Sequence, residues 1–302
     1  MIKTVLIFIF LLNVIKAKSE TNWNLPENLT VFNITNVTAE VKLPQSTGIN
    51  INNIFIILKI QNTNDVAFNE HIIEPTVTDY TFKNLIPGGN YKIEICVRDK
   101  KKNKTLFCHD SPRYFATVPN PPGNFNSITT TEKTITINWL PSFGLSQCYR
   151  VEIENSDEKF SKKIDKTTMT FVNLFPGRAY NISVKSDSGY RVSTPIKVEC
   201  RTRPLPPASV IVNQSSIAPT SLRVVWSAPS EQTDFDGYKV WLHHQPPGTL
   251  VDVDPVVVSK DVHSWEFKNL VPSEFGYQVN VETVSGNVSS HPAHCSSVPS
   301  IK

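Results

Sequence analysis

Polar and apolar residues alternate along much of this chain. Ile135, Ile137 and Trp139 alternate with Thr134, Thr136 and Asn138, and Tyr149, Val151 and Ile153 alternate with Arg150, Glu152 and Glu154. Successive side chains of a strand point to opposite faces, so a period of two marks strands buried on one face of an antiparallel sheet. Tyr180, Ile182 and Val184 repeat the pattern, as do Leu222, Val224 and Trp226, then Tyr238, Val240 and Leu242. No stretch has the periodicity of a convincing amphipathic helix. Short strands separated by turn residues predict an all-β chain built from sandwiches.

The pattern is itself repeated. Phe82-Lys83-Asn84-Leu85-Ile86-Pro87, Phe171-Val172-Asn173-Leu174-Phe175-Pro176 and Phe267-Lys268-Asn269-Leu270-Val271-Pro272 recur roughly every 90 residues, each soon followed by Tyr91, Tyr180 or Tyr277. That period suits one small domain and is too long for a helical solenoid unit. Proline-rich joints lie between the copies, at Val118-Pro119-Asn120-Pro121-Pro122 and Arg203-Pro204-Leu205-Pro206-Pro207. The reading is a leader at 1–19 and tandem domains at 20–118, 119–203 and 204–302.

With these residues in place, the repeats resemble fibronectin type III domains. The resemblance rests on a tryptophan ending the second strand (Trp139, Trp226), a tyrosine opening the third (Tyr149, Tyr238) and the Leu174, Pro176, Tyr180 corner entering the sixth. It implies an immunoglobulin-like sandwich in which the indole fills the space between the sheets and the corner tyrosine satisfies nearby backbone. The first copy has the corner (Leu85, Pro87, Gly88, Tyr91) but Lys42 in the tryptophan slot. A lysine cannot sit unpaired in such a core, so the strand is expected one residue out of step, with Val37, Ala39, Val41 and Leu43 inward. The short proline joints are similar in style to the ectodomains of receptor-type tyrosine phosphatases.

The resemblance also implies a pairing for two of the five cysteines. Cys96 falls in the strand after Tyr91 and Cys108 on the returning limb, hairpin neighbours expected to form a disulfide unless both stay free. Cys148 and Cys200 fall on strands that run parallel in this fold and are expected to be too far apart to bond. Cys295 aligns with Cys200, each shortly before a domain-ending proline.

Charge becomes informative only after the amino terminus is read. Lys3, the apolar run Val5 to Leu12 and the small residues of Ala17-Lys18-Ser19 have the form of a cleaved secretory leader, too short in its apolar core to span a bilayer. Removing Lys3, Lys16 and Lys18 lowers Lys+Arg from 30 to 27 against 27 acidic residues, so a role in nucleic-acid or membrane binding based on overall basicity disappears. Sequons at Asn28, Asn33, Asn36, Asn103, Asn181, Asn213 and Asn287 agree with a secreted, extracellular glycoprotein. One local run remains basic: Arg98, Lys100, Lys101, Lys102 and Lys104 surround Asp99 on the expected hairpin, a candidate for sulfated glycosaminoglycan or simply a solvated turn.

Catalytic chemistry finds little support. His294-Cys295 resembles the start of a phosphatase loop, but Ile301 stands where the phosphate-gripping arginine would be needed. His291, His294 and Cys295, or His243 and His244, fall short of a closed metal site, and neighbouring strand residues face opposite ways. The expectation is a chain without cofactor or enzymatic activity that binds an extracellular protein ligand or receptor. Loops such as Pro141 to Gln147 and Lys185 to Val192 would carry the contacts. A soluble ectodomain decoy fits this expectation. A structural or adhesive matrix module, and a fragment of a longer receptor, are the alternatives.

Overall fold

In the computed structural model, residues 29–43, 51–109, 111–212, 220–244, 253–271 and 276–295 are described. The expected leader, Asn28, Asn213, Pro272 and residues 296–302 lie outside them. The chain packs as two compact units: residues up to Gly123 with Pro141–Arg150 and Lys185–Pro195, and residues Asn124–Leu140, Val151–Val184 and those from Ile196 onward. Among the described residues the helical element is a 3₁₀ turn at Ile51–Asn53, and the rest of the regular structure is strand.

The first copy forms β1 (Thr30–Phe32), β2 (Ala39–Lys42), β3 (Ile54–Asn62), β4 (Asn69–Ile73), β5 (Asp79–Phe82), β6 (Asn90–Asp99), β7 (Lys104–Cys108) and β8 (Arg113–Ala116). One sheet has the order β1-β2-β5, and the other β4-β3-β6-β7 with β8 also on β6. Ala39, Val41 and Leu43 are buried while Lys42 is exposed, so the lysine is kept out of the core. Val37 departs from the expectation and is exposed. It precedes β2, in a turn where the Thr35 hydroxyl accepts the amides of Val37 (3.2 Å) and Thr38 (2.9 Å), so strand alternation does not yet apply. Branched aliphatic residues fill this core in place of an indole, with Ile56, Leu58, Ile93 and Ile95 packed among Ala39, Val41 and Phe82. Cys96 and Cys108 face each other across β6 and β7, and their sulfurs are bonded, 2.03 Å apart.

The second copy supplies β9 (Phe125–Thr130), β10 (Ile135–Trp139), β11 (Cys148–Glu154), β12 (Lys159–Ile164), β13 (Thr168–Phe171), β14 (Ala179–Asp187) and β15 (Ile196–Arg201). The third supplies β16 (Ser209–Val212), β17 (Ser221–Ser227), β18 (Gly237–His244), β19 (Val253–Ser259), β20 (Ser264–Lys268), β21 (Tyr277–Ser285), β22 (Val288–Ser289) and β23 (Ala293–Cys295). Sheet orders are β13-β10-β9 and β12-β11-β14-β15, then β16-β17-β20 and β19-β18-β21-β22 with β23 on β21. The alternation read from sequence is realised: Ile135, Ile137, Trp139, Ile182 and Val184 are buried, as are Leu222, Val224, Trp226, Tyr238, Val240 and Leu242.

The recurring Phe-x-Asn-Leu string has a backbone cause. Asn84, Asn173 and Asn269 adopt left-handed φ values of 59°, 58° and 60°, a conformation asparagine tolerates better than other residues with a Cβ. This reverses the chain and lets the next amide leave the strand direction. Leu85 donates to the Val37 carbonyl (3.0 Å), Leu174 to Lys133 (3.0 Å) and Leu270 to Thr220 (2.9 Å). The leucine then closes the end of the sandwich, buried for Leu85 and Leu270 and partly buried for Leu174.

Candidate functional site

The second unit contains a groove of about 930 Å³. Its floor comes from β12, β13 and the corner after β13, including Phe160, Met169, Val172 and Phe175, and Glu231 and Gln232 complete the wall. Phe160 and Val172, which both line the groove, are 50% and 60% exposed and give it apolar surface open to solvent. They lie on or beside the outer strands of their sheets, where backbone groups lack a further strand partner. The rim carries charges of both signs, several of them paired. Arg178 lies over the Phe175 ring (4.1 Å to its centre) and pairs with Asp234 (2.9 Å) and Asp157 (3.4 Å), while Lys133 pairs with Glu231 (3.1 Å). The Asp234 carboxylate beside it holds the Arg178 guanidinium above its ordinary pKa against a small burial cost. The turn that borders the groove is held by Asn155, whose side-chain oxygen accepts the amides of Asp157 (2.7 Å) and Glu158 (2.8 Å). Such a surface can seat an extended or loop segment of a protein partner.

The loops expected to carry the contacts are placed differently. Leu145, in the Pro141 to Gln147 loop, donates its amide to the Pro87 carbonyl (2.8 Å), and Asn120 donates to the Phe143 carbonyl (2.9 Å). In the other loop, Asp187 is 2% exposed and accepts from Arg150 (2.7 Å) and from the Gly189 amide (2.9 Å). Much of their backbone is therefore committed within the first unit, although Phe143 and Tyr190 keep 84% and 61% exposure. Sequence reasoning missed the groove because its apolar members are scattered across an edge strand, a turn and a corner. The isolated Phe160 in a lysine-rich strand was the available signal.

The basic hairpin is less cationic than its sequence suggests. Arg98 pairs with Glu70 (2.7 Å), whose carboxyl is held below its usual value mainly by that hydrogen bond, and Lys100 pairs with Glu74 (2.8 Å) while lying over Phe55 (4.5 Å). Asp99 accepts the backbone amides of Lys101 and Lys102 (both 2.8 Å), shaping the turn. Lys101, Lys102 and Lys104 are exposed and carry what remains of the glycosaminoglycan expectation.

Among the described sequons, Asn33, Asn103, Asn181 and Asn287 are exposed, whereas Asn36 is partly buried and donates its side-chain amide to Asn120 (2.9 Å). Cys148, Cys200 and Cys295 are free thiols. Burial, with Glu199 adding to it, pushes the Cys200 thiol up to about 11. Cys295 does not occupy the place of Cys200. Cys200 pairs with Tyr180, whereas Cys295 pairs with Val279, two residues past the corresponding Tyr277. Counting back from the following proline, Pro204 or Pro299, puts the two cysteines at the same place and hides this difference in pairing. His294 and Cys295 take part in the strand ladder opposite Asn280 and Val279, and the residues that would continue a phosphate loop lie outside those described. Among the described residues no three potential metal ligands cluster, and no helix is long and apolar enough to cross a membrane.

The described geometry defines a class: tandem antiparallel sandwiches with a tyrosine corner. The fibronectin type III domain profile matches residues 120–199 and 205–297, more than half of the chain, and the chain belongs to this family. It is 25% identical to mouse (Mus musculus) tenascin-R over 73% of its own length and 16% of that protein's, and 24% identical to mouse tenascin over 92% and 13%. It is also 23% identical to receptor-type tyrosine-protein phosphatase V of Rattus norvegicus, over 72% of the chain and 12% of that protein. The chain thus spans about a sixth or less of the length of these relatives.

Proposed function

We propose that this chain is an extracellular, non-catalytic adhesion or matrix-type module that binds a protein partner through its repeats. The observation that carries the reading is the groove with exposed Phe160 and Val172 at a sandwich edge. Exposed aromatic and aliphatic groups inside a charged rim are the composition of protein-binding surfaces, where a few buried anchors carry most of the energy. Family membership and similarity to tenascins support the extracellular setting.

The test is binding of the full chain, expressed through a secretory host, to an arrayed set of extracellular receptor and matrix proteins. A saturable partner is expected, with Phe160→Asp and Val172→Asp each weakening it about tenfold or more while the urea midpoint stays unchanged. A partner whose affinity ignores both variants removes the groove from the reading. Disulfide-linked multimers retained in matrix, with no saturable partner, favour a purely structural module.

A further inference from the structure

The corner of the first repeat and that of the second meet the chain that follows them in the same way. Gly88 (φ 74°) and Gly177 (φ 73°) each succeed the corner proline, and a Cβ on either would overlap a backbone carbonyl, that of Leu145 or that of Asp234. Each of those residues lies in the loop between the second and third strands of the next repeat. Each also returns a hydrogen bond, Leu145 N–H to the Pro87 carbonyl (2.8 Å) and Asp234 N–H to the Pro176 carbonyl (2.9 Å). A third piece recurs as well, the serine before the glycine of the turn that leaves β14 in the second copy and β21 in the third. Ser188 Cβ would stand 3.2 Å from a Cβ on Gly88, and Ser285 Oγ donates to the Gly177 carbonyl (2.7 Å).

We infer that the Pro-Gly turn of one repeat is a docking surface whose partner is the second-to-third-strand loop of the repeat that follows. The two loops have unrelated residues at the contact, leucine in one and aspartate in the other, so recognition is made by backbone and needs chiefly the absence of a Cβ. Both the left-handed φ and the approaching carbonyl call for glycine. The two dockings differ in their side-chain bonds. Around Gly177, Arg201 donates to the Gly177 carbonyl (2.9 Å) and to Ser285 Oγ (3.0 Å), Thr233 Oγ1 donates to the Pro176 carbonyl (3.2 Å), and Arg178 pairs with Asp234 (2.9 Å). Around Gly88 the residues at the corresponding places are Ala116 and Gly89, which supply none of these side-chain bonds. Asn120, donating to the Phe143 carbonyl (2.9 Å), holds the loop at Gly88, so the docking at Gly177 is the one with more side-chain bonds. The third copy has Ser273 after its corner proline, in residues outside those described.

Residue-resolved amide hydrogen exchange on the full chain tests this. Leu145 and Asp234, both in surface loops, are expected to exchange at least about tenfold more slowly than open-loop amides, Asp234 the more slowly of the two. Gly177→Ser should release Asp234 while leaving Leu145 and the core amides of Val224 and Val281 unchanged, and Gly88→Ser should release Leu145 alone. Gly177→Asn separates overlap from strain, because asparagine accepts the left-handed conformation yet keeps the Cβ; it too should release Asp234. The inference is overturned if Asp234 in the unaltered chain exchanges at open-loop rates. It is overturned equally if Asp234 protection survives in a folded Gly177→Asn protein.

Discussion

The hydroxyl of Tyr180 accepts the backbone N–H of Phe175 at 2.9 Å, closing the corner of the second sandwich from within. Tyr91 does the same for Ile86 (2.7 Å). In the third copy the corner is one residue longer between leucine and tyrosine, and the phenol of Tyr277 instead donates to the Val271 carbonyl (2.7 Å). Tyr180→Phe keeps the ring in the core and leaves the amide without its acceptor, so the expected loss is about 1–2 kcal/mol. Urea unfolding monitored in the second sandwich measures it; an unchanged midpoint would show that water replaces the phenol.

The bond between Cys96 and Cys108 closes a hairpin with a sequence separation of 12 residues. Chain-entropy reasoning assigns such a loop about 3 kcal/mol. Cys108 is exposed and Cys96 buried, so Cys108→Ala opens the loop with little change to the core. The first sandwich of that variant should unfold at lower denaturant while the transitions of the other two hold. Full stability in the reduced protein counts against the estimate.

Cys200 should be a poor nucleophile. With its thiol pushed up to about 11, from 9.0 unperturbed, its thiolate fraction at pH 8 is about 100-fold smaller than that of an open thiol. Timed alkylation read by mass spectrometry should find it slow in the folded chain and ordinary after denaturation. The linkage has a definite sign: the raised folded value means that stability is fully present below about pH 9 and falls as pH rises from there through about 11, because the unfolded thiol ionises first.

Sequon occupancy should be uneven. Asn36 donates to Asn120, which in turn donates to the Phe143 carbonyl, so its amide is already engaged at a partly buried position. Asn103 and Asn181 stand exposed on a turn and a strand face. Glycopeptide mapping of protein from a secretory host should find Asn103 and Asn181 well occupied and Asn36 the least occupied of the three. Full occupancy at Asn36 would mean that the Asn120 contact yields to the glycan.

Retention on heparin, if the hairpin provides it, belongs to Lys101, Lys102 and Lys104, since Arg98 and Lys100 are paired with Glu70 and Glu74. Changing the three lysines to alanine should lower the eluting salt concentration, as expected for lost contacts to a polyanion. No shift reduces the loop to a solvated turn.

Alternation alone placed Ile135, Ile137, Trp139 and their counterparts in the core, because a period of two fixes which face of a strand is buried whatever that face meets. The repeated asparagine and the proline-tyrosine corner were equally readable, since a left-handed turn and a closed sandwich end restrict residue choice locally. Three things required the tertiary structure. Arg98 met Glu70 only when β6 and β3 brought β4 near the hairpin, and a charge run shows nothing of acids 28 residues away. Cys295 fell two residues from its expected place because strand pairing, and not distance to a proline, sets register. Leu145 and Asp234 docked through main-chain atoms, which every residue possesses, so no side-chain pattern could announce them; only the glycines opposite, Gly88 and Gly177, carried the trace, and a glycine does not say what fills the space it leaves.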